Sequence, residues 1–449
     1  MNRMIEAVSQ PVNLSKYRQA LRNLTPIVCQ GRVVNVVGLT IEVEGLAGQV
    51  GELCQISPGN GQPPVPAEVV GFHDQRLQVM PLGRTDGIQP GSKVVASRDF
   101  LTVPVGEALL GRVLDGLGQP LDGRGPIVTE QMRPVYSAPP HPLQRQPIHE
   151  PLTTGIRSID GMLTCGKGQR IGIFAGSGVG KSTLMGSIAR SALADVSVVA
   201  LIGERGREVG EFLERDLGPE GLKRAVVVVS TSDQPPLVRL KGALVATTIA
   251  ESFRDEGADV VFLMDSVTRF AMAQREVGLA AGEPPTTKGY PPSVFALLPR
   301  LMERTGTSGR GTITGFYTVL VEADDFNEPI SDTVRSILDG HIILSRELAG
   351  EGHYPAIDVL NSISRVMPAV TGPNHRELAQ KLRDVLATYS RAADLINIGA
   401  YESGTNPDID HALAVRPLSL EFLRQSSDEF TTFDETLAWL GSVFGNAGD

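Results

Sequence analysis

The chain has 449 residues, room for about three domains on the usual scale of ~100–200 residues each. Its hydrophobic content of 41% and charged content of 20% describe an ordinary globular protein, and a formal net charge of −10 argues against a dominant nucleic-acid-binding role, which calls for a basic surface. Three scattered cysteines, Cys29, Cys54 and Cys165, suit neither a disulfide framework nor a zinc site; without a long apolar run or a signal-peptide pattern, the chain is expected to work in the cytoplasm.

Residues 1–24 read as a separate segment. Met4, Ile5 and Val8 share one helical face, and Leu14, Tyr17, Leu21 and Leu24 form a second stripe beyond Pro11. Such helices either dock on their own domain or bind a partner through the apolar face. From 25 to 100 the pattern changes to short β runs, such as Gly31 to Val37, Leu39 to Val43 and Ala67 to Phe72, divided by Gly- and Pro-bearing turns. That spacing predicts a small N-terminal barrel or sandwich. Residues 111–150 are rich in Gly and Pro and read as an irregular connector into the next domain.

A domain spanning 101–371, connector included, alternates strands with helices. Arg170 to Phe174, Val196 to Ile202, Ala225 to Ser230, Asp259 to Asp265, Thr312 to Val321 and His341 to Ser345 are continuous Val/Ile/Leu-rich runs. Runs of this kind suit a mostly parallel sheet covered on both faces, an α/β architecture. Beyond 372 the strands stop, and spacing predicts helices over 376–397 and 409–422, a C-terminal helical domain reaching 449.

The segment Ala175-Gly176-Ser177-Gly178-Val179-Gly180-Lys181-Ser182, followed by Thr183, sits between an apolar strand and a helix-like stretch. Glycines there let successive N–H groups turn inward on phosphate oxygens, Lys181 adds a cation, and the Ser182 hydroxyl suits Mg2+. Asp265 ends an apolar strand downstream, where a P-loop fold places the carboxylate that orients the metal. Hydrolysis needs a group that positions water, and Glu204 closes another strand, with Glu208, Glu211 and Glu214 as competitors on a helical segment. Four arginines lie near strand ends, Arg205, Arg269, Arg346 and Arg365, and spacing does not choose among them. Tyr354 and Phe422 are aromatic candidates for an adenine site, although a buried core is the default place for such rings.

The segments 150–157, 175–182, 203–208, 289–295 and 353–360 together resemble the ATPases of type III protein export, relatives of rotary ATP synthase catalytic subunits. Tyr290-Pro291-Pro292-Ser293-Val294-Phe295 is more typical of the export members, and Asn327 and the stretch 396–401 resemble the flagellar branch more than the injectisome branch. The resemblance implies a RecA/F1-like P-loop motor core, with a small N-terminal β-barrel and a C-terminal helical domain, that hydrolyses ATP with Mg2+ as a homohexamer. It implies that Lys181, Glu204 and its neighbour Arg205 are catalytic residues, and that Arg365 reaches the site of an adjacent subunit. Gly176, Ser177, Gly178, Val179, Gly180, Lys181, Ser182 and Thr183 would hold phosphate, Ser182 and Asp265 the metal, and Tyr354 and Phe422 the adenine.

Partners implied by the resemblance are a stator-like regulatory export protein bound through residues 1–24, a central-stalk protein, the export gate at the inner membrane, and chaperone–substrate complexes. The stretch 399–406 lacks the acidic lever of the rotary subunits. An RNA-translocating hexamer is the rival of another class, but 31–100 holds only Phe72 and Phe100 as stacking aromatics.

Overall fold

The computed structural model describes residues 29–59, 61–321, 325–326 and 328–445, so the amphipathic segment 1–24 and Asn327 lie outside the described residues. Contacts divide the described residues into two compact units, those from 29 to 81 with 85–99, and 82–84 with those from 100 to 445.

In the first unit, six strands, Gln30–Val37, Thr40–Glu44, Glu52–Ser57, Val65–His73, Arg76–Pro81 and Lys93–Phe100, close a barrel in the order first, second, fifth, fourth, third, sixth. Val33, Ile41, Val43, Ile56, Val69, Val79 and Val94 point inward as its core, as period-two alternation requires. Closure removes the exposed edges that an open sheet of this size would carry. The fold is thus a barrel rather than a sandwich.

The second unit is built on a sheet whose strands run in the order Ile363–Ser364, Gly340–Leu344, Arg170–Ala175, Thr312–Leu320, Asp259–Asp265, Val196–Ile202, Ala225–Ser230 and Val113–Asp115. All of these neighbours pair in parallel except the first pair. Val196–Ile202 and Ala225–Ser230 are buried at every position, which explains their unbroken apolar runs. Val113–Asp115 corrects the expectation of an irregular connector: it is the sheet's edge strand, paired through Leu114 with Val228. Three residues flanked by Gly and Pro are too short to show a period.

Three helices end the chain, Pro373–Asn397, Pro407–Leu423 and Phe433–Gly445. The last was not foreseen from spacing. Leu382, Val385, Val415, Leu440 and Val443 from these helices join the sheet residues Ile171, Ile173 and Val199 in one apolar cluster. No described helix is long and apolar enough to cross a membrane.

Candidate functional site

The phosphate loop leaves the sheet at Ala175, on the carboxyl edge, with Thr312–Leu320 on one side and Gly340–Leu344 on the other. Gly178 and Gly180 take φ of 80° and 87°, the left-handed region where a Cβ is strained. Helix Lys181–Ser191 starts at Gly180 with no side-chain cap, so its first N–H groups stay available to an anion. Ser177, Gly178, Ser182 and Thr183 are exposed, whereas Gly176 and Val179 are buried.

Strand order brings the acids to this loop. Val196–Ile202 pairs with Asp259–Asp265 in a register that sets Leu201 against Asp265, so Glu204 and Asp265 emerge side by side. Lys181 Nζ lies 2.6 Å from Asp265 Oδ1 and 3.7 Å from Glu204 Oε1. The Thr318 hydroxyl donates to the same Asp265 oxygen at 2.8 Å, which fixes the carboxylate from the neighbouring strand.

Glu204 is the most perturbed acid here. Its side chain is mostly buried and its Oε1 has no hydrogen-bond partner among the described residues. Burial, reinforced by the Asp265 charge and by the hydrogen bond with Glu208, pushes its carboxyl up to about 8, and Lys181 only partly opposes this. Raising a carboxyl makes its ionised form a stronger proton acceptor, which suits a water-activating base. The competitors differ: Glu208 and Glu211 pair with Arg205 and Arg207 at 3.4 and 3.7 Å, and Glu214 is exposed.

A cavity of about 910 Å3 opens over the loop, lined by Lys181, Ser182, Glu204, Arg205, Arg269 and Arg346 among others. Three of the four candidate arginines therefore face the same site. Arg269, which spacing could not single out, packs its stem against Gly203 and holds a buried Nε without a partner among the described residues. Its signal was its place four residues after Asp265, in the first turn of helix Val267–Ala280, but any residue of that turn shares it. Arg365 is elsewhere. Its N–H donates to the Asp339 carbonyl at 3.0 Å, and the Asp339 N–H to that of Arg170. Arg365 is thus level with the start of the phosphate-loop strand, roughly 17 Å from Ala175 at the rise of a strand. It is exposed and forms no ion pair with another described residue.

Beside the phosphate cavity lies a second of about 290 Å3, lined by Val179, Tyr354, Pro355, Gln425, Ser426 and Ser427 among others. Tyr354 is 47% exposed, with its ring against Gly180. Phe422, expected as the opposite wall, is a correction: it is fully buried, edge-on to Trp439 at 6.4 Å and packed over Gly161, and lines neither cavity. It sits on the inner face of its helix, and the irregular segment that follows forms the wall instead.

Two oxygen donors are available at this end of the sheet, the exposed Ser182 hydroxyl and the Asp265 carboxylate held by Lys181 and Thr318. No group of three or more His, Cys, Asp or Glu among the described residues is placed to hold a metal. One carboxylate and one hydroxyl, completed by substrate oxygens and water, fit Mg2+, which is seldom caged by protein alone.

The model of the ATP synthase alpha/beta family matches with its nucleotide-binding domain at residues 155–364 and its beta-barrel domain at 33–98. The T3SS EscN ATPase C-terminal domain matches at 371–442. The flagellum-specific ATP synthase of Bacillus subtilis is 56% identical over 93% of this chain and 95% of its own. The type 3 secretion system ATPase of Sinorhizobium fredii is 49% identical over 97% and 96%. Among solved structures, the assembled ATPase EscN of enteropathogenic E. coli, in complex with its central stalk EscO, matches with a TM-score of 0.85 at 46% identity, covering 92% of this chain and 99% of that one.

Proposed function

This chain belongs to the ATP synthase alpha/beta family, beside its flagellum-specific and type III secretion members, and from that premise we propose that it hydrolyses ATP to drive flagellar type III protein export. The buried, partner-poor Glu204 carboxyl set against Lys181 and Asp265 carries this reading. Glycine-loop N–H groups and Lys181 hold the β- and γ-phosphates, while Arg205 and Arg269 face the same cavity. Glu204 accepts a hydrogen bond from water and directs its oxygen at the γ-phosphorus. As that bond forms, the bond from phosphorus to the β-phosphate oxygen breaks, and the water proton passes to Glu204. Ser182 and Asp265 would hold Mg2+, which neutralises phosphate charge when bound. Tyr354 stacks on the base.

Arg365 acts on the γ-phosphate of a second copy, in a ring of six with each site at an interface. Its distance from its own phosphate loop supports this reading. EscN is described as assembled and with a central stalk; the proposal extends both to this chain. Residues 1–24 bind a stator-like regulator that tethers the enzyme at the cytoplasmic face of the inner membrane, close to the export gate and to chaperone–substrate complexes. The flagellar choice follows the name of the B. subtilis relative.

Phosphate release from ATP, with and without Mg2+, combined with sedimentation in a nonhydrolysable analogue, tests the activity and the ring together. Metal-dependent turnover and nucleotide-driven assembly are expected. A chain that binds ATP but neither hydrolyses it nor assembles would overturn the reading.

A further inference from the structure

We propose that Arg157 is a positioning residue that clamps the base-side wall of the nucleotide site, setting affinity for the base without touching phosphate. The inference rests on the nucleotide-hydrolysing reading above. The wall runs from Arg424 to Glu429, between the end of one helix at Leu423 and the start of the next at Phe433, and includes no strand or helix of its own. It is therefore held by individual contacts to neighbouring segments, through backbone bonds and through side chains.

Arg157 supplies several of the side-chain contacts, and Ser187 and Arg190 add others by donating to the Ser427 carbonyl. The Arg157 side chain is 2% exposed, and its guanidinium grips this segment and the residues that flank it. Nε donates to the Phe422 carbonyl at 3.0 Å, Nη2 to the Arg424 carbonyl, and Nη1 to Glu429 and to the Thr431 hydroxyl. The Trp439 ring lies 4.2 Å beneath the charge, so the last helix seals the clamp. The backbone N–H of Arg157 also donates to Gln425 Oε1 at 2.8 Å.

Gln425 extends the clamp across the cavity. Its Nε2 donates to the Gly155 carbonyl at 2.7 Å, and its backbone N–H to the Tyr354 carbonyl at 2.9 Å. The wall and the stacking tyrosine are thereby fixed to each other and to the bend at Gly155 that leads into the helix Arg157–Met162. Because the Gln425 amide is consumed in this way, it shapes the slot rather than reading the base. A lysine at 157 keeps the charge but not the planar fork, and one ammonium cannot reach carbonyls and hydroxyl together.

The test compares two probes on the full-length protein, ATP and inorganic tripolyphosphate, which has no base. Arg157→Lys is expected to weaken ATP about tenfold, the scale of a lost hydrogen bond from a charged group, with tripolyphosphate affinity and saturating turnover changed less than about threefold. A general structural defect would weaken both probes alike. Thr431→Val removes one acceptor of the clamp and keeps the charge pair, so it answers the question if the lysine variant does not fold; about threefold weaker ATP with unchanged tripolyphosphate is expected. Equal losses for both probes, or no loss for either, would overturn the clamp. Absence of ATP turnover in the unaltered protein would instead overturn the reading on which it rests.

Discussion

The two ends of the central sheet differ in what they offer the proposed chemistry. At the carboxyl end the chain concentrates the phosphate loop, Lys181, Glu204 and Asp265 within hydrogen-bond or ion-pair reach, under a cavity faced by Arg205, Arg269 and Arg346. At the amino end Arg365 stands exposed beside Asp339, with no ion-pair partner among the described residues. The first cluster is pre-arranged by strand register, whereas Arg365 is hydrogen-bonded through its backbone N–H alone among the described residues. A guanidinium left free at one end and a γ-phosphate site at the other are what a head-to-tail ring requires, because each contact joins unlike faces.

That contrast can be broken from either end. At the amino end, Arg365→Ala should lower kcat by about 10^3–10^5, the scale of a lost arginine finger, while ATP affinity measured on the isolated chain stays close to normal. A large loss of affinity in the isolated chain would place Arg365 in its own site and erase the distinction. At the carboxyl end, Glu204→Gln should reduce turnover by about 10^2–10^4 and retain ATP binding in an equilibrium assay. Turnover near the unaltered level would remove Glu204 from water activation.

Smaller effects sharpen the picture around the cluster. Tyr354→Ala should cost ATP binding about 1–3 kcal/mol, as for a lost base stack, seen as a raised KM with kcat nearly kept. Unchanged KM would leave the second cavity without a base. Stability rather than turnover reports on the C-terminal helices. His375 is buried, its Nε2 2.7 Å from the Gly161 carbonyl, and burial holds its ring below the ordinary histidine range. The unfolded chain then takes up a proton near pH 6.5 before the folded chain does, so stability is present above that pH and is lost as pH falls. The slope from this one group is at most about 1.4 kcal/mol per pH unit. Denaturant titrations from pH 7 to 5 should show a shallower decline for His375→Gln; an identical decline would assign the acid sensitivity to other groups.

Much of the carboxyl end was legible because strand chemistry writes itself locally. Fully buried parallel strands appear as unbroken Val/Ile runs, and an acid that ends such a run is fixed in place by the strand. Asp265 is legible in this way; Glu204 stands out less, since choosing it over Glu208, Glu211 and Glu214 rests on the family resemblance, and the adjacency of the two acids needs the strand order. Residues set by helix facing or by irregular chain were harder. Phe422 carries the composition of an aromatic wall, yet its helix turns it onto Trp439. Gln425, Ser426 and Ser427 line the slot from a segment with no period to read. Arg269 was one arginine among four until packing against Gly203 directed it into the cavity. Three-residue Val113–Asp115 gave no sign of joining the sheet.

The divided site is tested most directly by mixing two inactive proteins, Lys181→Ala and Arg365→Ala, under conditions where mixed rings form. Some interfaces then combine an intact phosphate loop from one copy with an intact Arg365 from the next, and part of the ATPase activity should return, rising to a maximum at intermediate mixing ratios. Mixed rings that demonstrably assemble and yet stay inactive at every ratio would contradict the account.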